Sequence, residues 1–223
     1  MSYVDDILAV GDKLFSKRCN LDQHWQDAAE QFAPELADFT TTLDLGQDYA
    51  SNLVTSYPLL VAREMSDQFG TMLRPSQKDA AVMYVDGLED YMGKAWLDEK
   101  SKVQRKAVYA RESQYVVAAK QREKDLAVFG NSVVSIEVKP DKSSLLYRRQ
   151  HLRDVAWSDD LSGMTECVHR KWETPTAHML RRTFGIEKLH AEVKKHFEPG
   201  KDPYCEVKCR HVFVPVDMYD GPG

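Results

Sequence analysis

The chain has 223 residues, 43% of them hydrophobic and 29% charged, enough for one generous globular domain or two small ones. Its formal charge of −5 at pH 7 argues against tight phosphate binding, which calls for a basic domain or stripe. No apolar run approaches the roughly 20 residues of a membrane-spanning helix, so no membrane span is expected. Met1-Ser2-Tyr3-Val4-Asp5-Asp6 lacks the basic and apolar regions of a secretory signal. Cys19, Cys167, Cys205 and Cys209 are too few and scattered for a disulfide scaffold, which favours a reduced, intracellular setting.

Tyr3 to Phe32 carries helical spacing through Ile7, Leu8, Leu14, Phe15, Trp25, Ala28, Ala29 and Phe32. Asn20 or Asp22 is expected to divide it into two helices, and Pro34 to close it. Ser51 or Ser56 offers an N-cap for the next helix, with Pro58 in its first turn. Leu59, Leu60, Ala62, Met65, Phe69, Met72 and Leu73 form its apolar side before Arg74-Pro75 ends it. Ala80 to Val85 reads as a short strand stopped by Asp86-Gly87. Leu88 to Phe129 has helical spacing with Gly93 as its one breaker, so it predicts one very long helix or two in tandem. Gly130-Asn131 suits a left-handed cap at its end. Basic residues between Lys94 and Lys124 alternate with Asp98, Glu99, Glu112, Glu123 and Asp125, the pattern of a solvated helix face.

Beyond this point the period changes from helix to strand. Ser132 to Val138 alternates Val134, Ile136 and Val138 against Val133, Ser135 and Glu137, a strand with one polar face. Pro140 to Ser143 turns the chain into Leu145-Leu146-Tyr147. Val155-Ala156-Trp157 and Cys167 to Trp172 flank the turn-rich Asp159-Asp160-Leu161-Ser162-Gly163 and predict a hairpin. Thr174 is expected as N-cap and Pro175 as first residue of a helix reaching Gly185. A last amphipathic helix over Ile186 to Phe197 and a strand over Tyr204 to Val214 complete an α+β fold. Its sheet is expected to be small and mostly antiparallel. The predicted division is a helical part over 1–131 and a small α+β part over 132–223.

No phosphate-binding glycine loop, nucleophile elbow or His-Glu-x-x-His helix occurs. The one constellation with metal chemistry in it is Cys205-x3-Cys209-x-His211, three residues that share a face of a continuous strand. Strand residues four apart stand about 13 Å from one another, too far to share one zinc, and cysteine is commonly a small buried apolar residue. His24, His190 and His196 are isolated, and Trp25, Trp96, Trp157 and Trp172 read as core or subunit-interface anchors. No catalytic residue set and no cofactor emerges, so an enzyme is not expected.

Three stretches together resemble the bacteriophage portal proteins, the head-to-tail connector family of short-tailed phages. One is the early helix with Trp25 followed by Phe32-Ala33-Pro34. The second runs from Asp48-Tyr49-Ala50-Ser51 through Leu59 to Met65 and Phe69 to Pro75 into Val82-Met83-Tyr84-Val85. The third is Leu126 to Asn131 leading into the strand Ser132 to Val138, with Asp160 to Gly163, Trp172 and Thr174-Pro175 following in order. The resemblance implies the wing of a dodecameric ring at one capsid vertex of the virion, assembled in the host cytoplasm. Double-stranded DNA would pass through its channel without tight binding. Terminase large subunit, capsid protein and head-completion or tail adaptor proteins would be its partners. The family's stem, clip and crown would lie outside these residues. Ring formation would be heterologous, with the long helical segment in the contact and Arg105 and Arg111 as candidate interface residues. Two other readings are another phage structural or adaptor protein, and a metal-dependent nucleic-acid-processing enzyme using the Cys/His residues.

Overall fold

A computed structural model describes residues 3–44, 46–50, 53–74, 83–87, 90–139, 141–173 and 175–216. Seven α-helices are present among them: α1 Tyr3–Lys17, α2 Cys19–Phe32, α3 Tyr57–Leu73, α4 Tyr91–Val108, α5 Tyr115–Phe129, α6 Ala177–Phe184 and α7 Ala191–Lys194. Five strands form two antiparallel sheets. The strand β1 (Val133–Val138) pairs with β2 (Leu145–Gln150), and β3 (Val155–Asp159), β4 (Thr165–Trp172) and β5 (Cys209–Phe213) stand in that order. The chain is α+β as expected, with two small sheets in place of one.

The chain divides into two compact units, 20–152 and 1–19 with 153–223. The predicted division at 131/132 falls inside the first of these, between α5 and β1. The unit breaks after α5 in sequence but not in packing, because α5 lies against β2 and, less extensively, β1.

In unit 20–152, the indole of Trp25 packs on Phe39 (5.5 Å between rings) and Phe129 (6.5 Å), and donates its N–H to the Phe129 carbonyl at 3.3 Å. Buried Gln26 holds the segment after Pro34. Its amide nitrogen donates to the Ala37 carbonyl (3.0 Å) and its oxygen accepts the Phe39 N–H (2.9 Å). A buried amide with both ends satisfied fixes a loop that has no regular structure of its own. The helix α3 lies along α5, and α5 ends where Gly130 adopts φ +69° and donates its N–H to the Leu126 carbonyl (3.1 Å).

The 88–129 segment is two helices, not one very long one. They meet at a short 3-10 turn, Arg111–Ser113. No proline or glycine breaks the chain there. Gln114 takes a left-handed φ of +55°, the Ser113 hydroxyl, fully buried, donates to the Ala110 carbonyl (2.7 Å) and accepts the Tyr115 N–H (3.2 Å). Tyr115 then packs edge-on against both Tyr109 (5.1 Å) and Tyr147 of β2 (5.0 Å). Helix α5 packs on α3 and β2, whereas α4 makes no extended packing against another described element.

In the other unit, α1 lies on β3 and crosses the sheet at Gly11. A Cβ there would stand 2.4 Å from His169 Nδ1 and 2.9 Å from Arg210 Nη1, so only glycine permits this approach. The β3–β4 hairpin is built as expected: Asp160 Oδ1 accepts the N–H groups of Ser162 (2.8 Å) and Met164 (2.9 Å), and Gly163 has φ +78°.

Other expectations are corrected. The cap of α6 is Thr176, whose side chain accepts the Met179 N–H at 3.3 Å, because Pro175 precedes the helix. The expected cap, Thr174, lies outside the described residues. Ile186 to Phe197 is α7 between two 3-10 turns, since Leu189 and His190 are extended where a single helix would need them coiled. The last strand is confined to 209–213, with Thr176 bridging Glu206 before it. Residues 83–85 form no strand, while Ala80–Val82, Ser51 and Leu88 lie outside the described residues. On β1, Ser135 meets Gln150 (2.8 Å) and Ile136 and Val138 are exposed.

Candidate assembly surface

The Cys/His constellation does not converge. Cys205 precedes β5 and places its Sγ 3.1 Å from His196 Nδ1, a neighbour that sequence reasoning read as isolated. Cys209 and His211 sit on β5 opposite Trp172 and Arg170, and His211 packs on Phe213 at 4.5 Å between rings. Burial pushes the Cys209 thiol above its ordinary pKa, the reverse of what a thiolate ligand needs. Among the described residues no group of three or more His, Cys, Asp or Glu is placed to hold a metal.

Among the described residues, the ion pairs whose carboxylates are most deeply buried are on α5, and they are structural. Glu123 and Asp125, both buried, face different elements. Glu123 takes a two-pronged contact from Arg74 at the end of α3 (2.7 and 2.6 Å). Asp125 takes another from Arg149 of β2 (2.6 and 2.9 Å). Burial pushes the Asp125 carboxyl above the usual carboxylate range, and the Arg149 guanidinium offsets this only in part. Such pairs specify which elements meet more than they add stability. Gly70 of α3 lies against the first pair, where a Cβ would be 2.9 Å from Glu123 Oε2. Sequence reasoning placed Glu123 and Asp125 on a solvated face, since a local charge pattern cannot show a cation that arrives from 24 or 49 residues away.

What remains open is apolar. Helix α4 buries Gly93 and Leu97 and makes no extended packing against another described element. Met92, Trp96 and Val103 stand exposed on it, with the Lys100 ammonium 5.4 Å from the Trp96 ring. Arg105, near its end, lies 6.0 Å from the Tyr109 ring, and Arg111 is exposed in the turn that follows. Helix α3 has the same character on its outer side, where Val61, Met65 and Met72 are exposed. Single exposed apolar residues are ordinary, but contiguous ones mark contact sites. No described helix is long and apolar enough to cross a membrane.

Residues 4–219 match a family model described as bacteriophage head to tail connecting protein. No curated protein matches the chain.

Proposed function

The chain belongs to the bacteriophage head to tail connecting protein family, and from that membership we propose that it is a wing-like part of a portal ring. In this reading copies of the chain, twelve in a closed ring at one capsid vertex, surround the channel through which double-stranded DNA is packaged and ejected. Terminase large subunit, capsid protein and head-completion or tail adaptor proteins dock on the ring, which does no chemistry of its own. The observation that carries the reading, beside the family, is the apolar surface of α3 and α4 that no other part of the described chain covers. A heterologous contact closes into a ring when its rotation divides the circle. The net charge of −5 accords with DNA that slides and is not held, because basic phosphate contacts bind strongly through counterion release. Arg105 and Arg111 stand at the α4–α5 elbow as contributors to the subunit contact.

Electron microscopy of the protein, scored for rotational symmetry in end-on views, tests the proposal. Rings of about twelve copies with a central hole are expected; a compact monomer or dimer refutes it. Reversing charge at Arg105 and Arg111 is expected to weaken assembly, and unchanged rings remove those two residues from the contact.

A further inference from the structure

Helices α3 and α4 carry the same pattern twice. Val61, Met65 and Met72 on α3 follow intervals of four and seven residues, and so do Met92, Trp96 and Val103 on α4. These intervals keep the three residues on one narrow stripe of a helix, the seam along which two helices pack. In both stripes the position between the second and third apolar residues is polar, Gln68 and Glu99. Each stripe is distinct from the side its helix turns inward, where Ala62 is buried on α3 and Gly93 and Leu97 are buried on α4. Both are left uncovered by the described residues: Met72 is 75% exposed, Met92 73% and Trp96 50%.

The two helices also differ in charge in a complementary way. Five Lys and Arg against Asp98 and Glu99 give α4 a net charge of +3, in a chain whose total is −5. Arg63 against Glu64 and Asp67 gives α3 a net −1. Two copies of α4 facing each other would set like charge against like charge, whereas α4 against the α3 of another copy would not. Self-complementarity of spacing combined with complementarity of charge describes a head-to-tail contact.

We infer that the subunit contact has at its centre a two-helix seam in which the Met92–Trp96–Val103 stripe of one copy packs on the Val61–Met65–Met72 stripe of the next. The inference rests on the ring reading above and adds the partner surfaces to it. Each copy uses both stripes once, so the contact propagates in one direction until it closes. Trp96 is the central anchor, because a large aromatic that becomes desolvated contributes most to a contact of this kind. Arg105 projects from a different side of α4 than this stripe, roughly half a turn away at 100° per residue, so it does not report on the seam.

The test is carried out on the whole chain. Trp96→Asp and Met65→Asp, and the second pair Val103→Asp and Met72→Asp, are each expected to weaken assembly by more than about tenfold, with the melting temperature of the dissociated subunit unchanged. In a Cys19→Ser background, a flexible bis-maleimide should link Met65→Cys/Trp96→Cys copies into a ladder, and neither single cysteine variant should do so. Rings that form without such a ladder, or that persist in all four aspartate variants, overturn the seam and leave the ring reading standing. Dimers linked through Trp96→Cys alone show an isologous α4 contact and overturn the seam as well. Wild-type protein that forms no ring overturns both readings.

Discussion

Replacing Asp125 by alanine isolates the role assigned to the buried ion pairs of α5. The Asp125 side chain is 1% exposed and that of Arg149 12% exposed, and two hydrogen bonds join them. Truncation leaves the guanidinium in its place with two donors unmatched and little access to water. Breaking a buried pair by removing one partner costs about 3–5 kcal/mol, a large part of the roughly 5–15 kcal/mol that holds a domain folded. For a chain of this length each kcal/mol moves the melting temperature by about 2–4 °C, so a fall of roughly 6–20 °C is expected. Asp125→Leu combined with Arg149→Met removes both charges and keeps the volume. Because burial already disfavours the Asp125 carboxylate, the double variant should return to within about 1 kcal/mol of the wild type. Urea unfolding followed by far-ultraviolet circular dichroism, with slopes compared among the three proteins, measures this. A loss below about 1 kcal/mol for Asp125→Ala, or a double variant no better than the single one, would refute the reasoning.

Two further outcomes follow from the packing of α1. Gly11→Ala gains about 1 kcal/mol of helix propensity but places a methyl 2.4 Å from the buried His169 ring. Overpacking of that kind costs about 1–3 kcal/mol, so thermal melting should show net loss, and net stabilisation would mean that α1 is not held at this crossing. His169 is neutral in the folded chain, its pKa lowered first by burial and then by Arg210, with Asp12 opposing. The unfolded chain therefore takes up a proton first as the pH falls below about 6.5. The stability associated with His169 is complete above that value and declines as the pH drops toward the folded-state pKa. Urea midpoints measured between neutral and mildly acid pH should fall, and His169→Gln should flatten the profile. An equal slope in the variant assigns the pH dependence to other groups.

Elements whose signals are local were legible from the residues alone. Pro34 ends α2, Gly130 caps α5 in the left-handed region, and Asp160 to Gly163 builds the hairpin turn, because φ restrictions and side-chain-to-backbone bonds act over four or five residues. The α+β class and the edges of β1 follow from the change of period. What only the tertiary structure decided depends on partners distant in the chain. The elbow at 109–114 exists because Tyr115 meets Tyr147, and the division into two units because α5 lies on β2. On β1, Ser135 meets Gln150 while Ile136 and Val138 are exposed. Gln26, Glu123 and Asp125 look like surface residues until the groups that satisfy them arrive from 11 to 49 residues away. The same holds for what is left open: periodicity marks Met65 and Trp96 as apolar positions on helices, but which apolar positions a fold covers is settled only when every other element has taken its place.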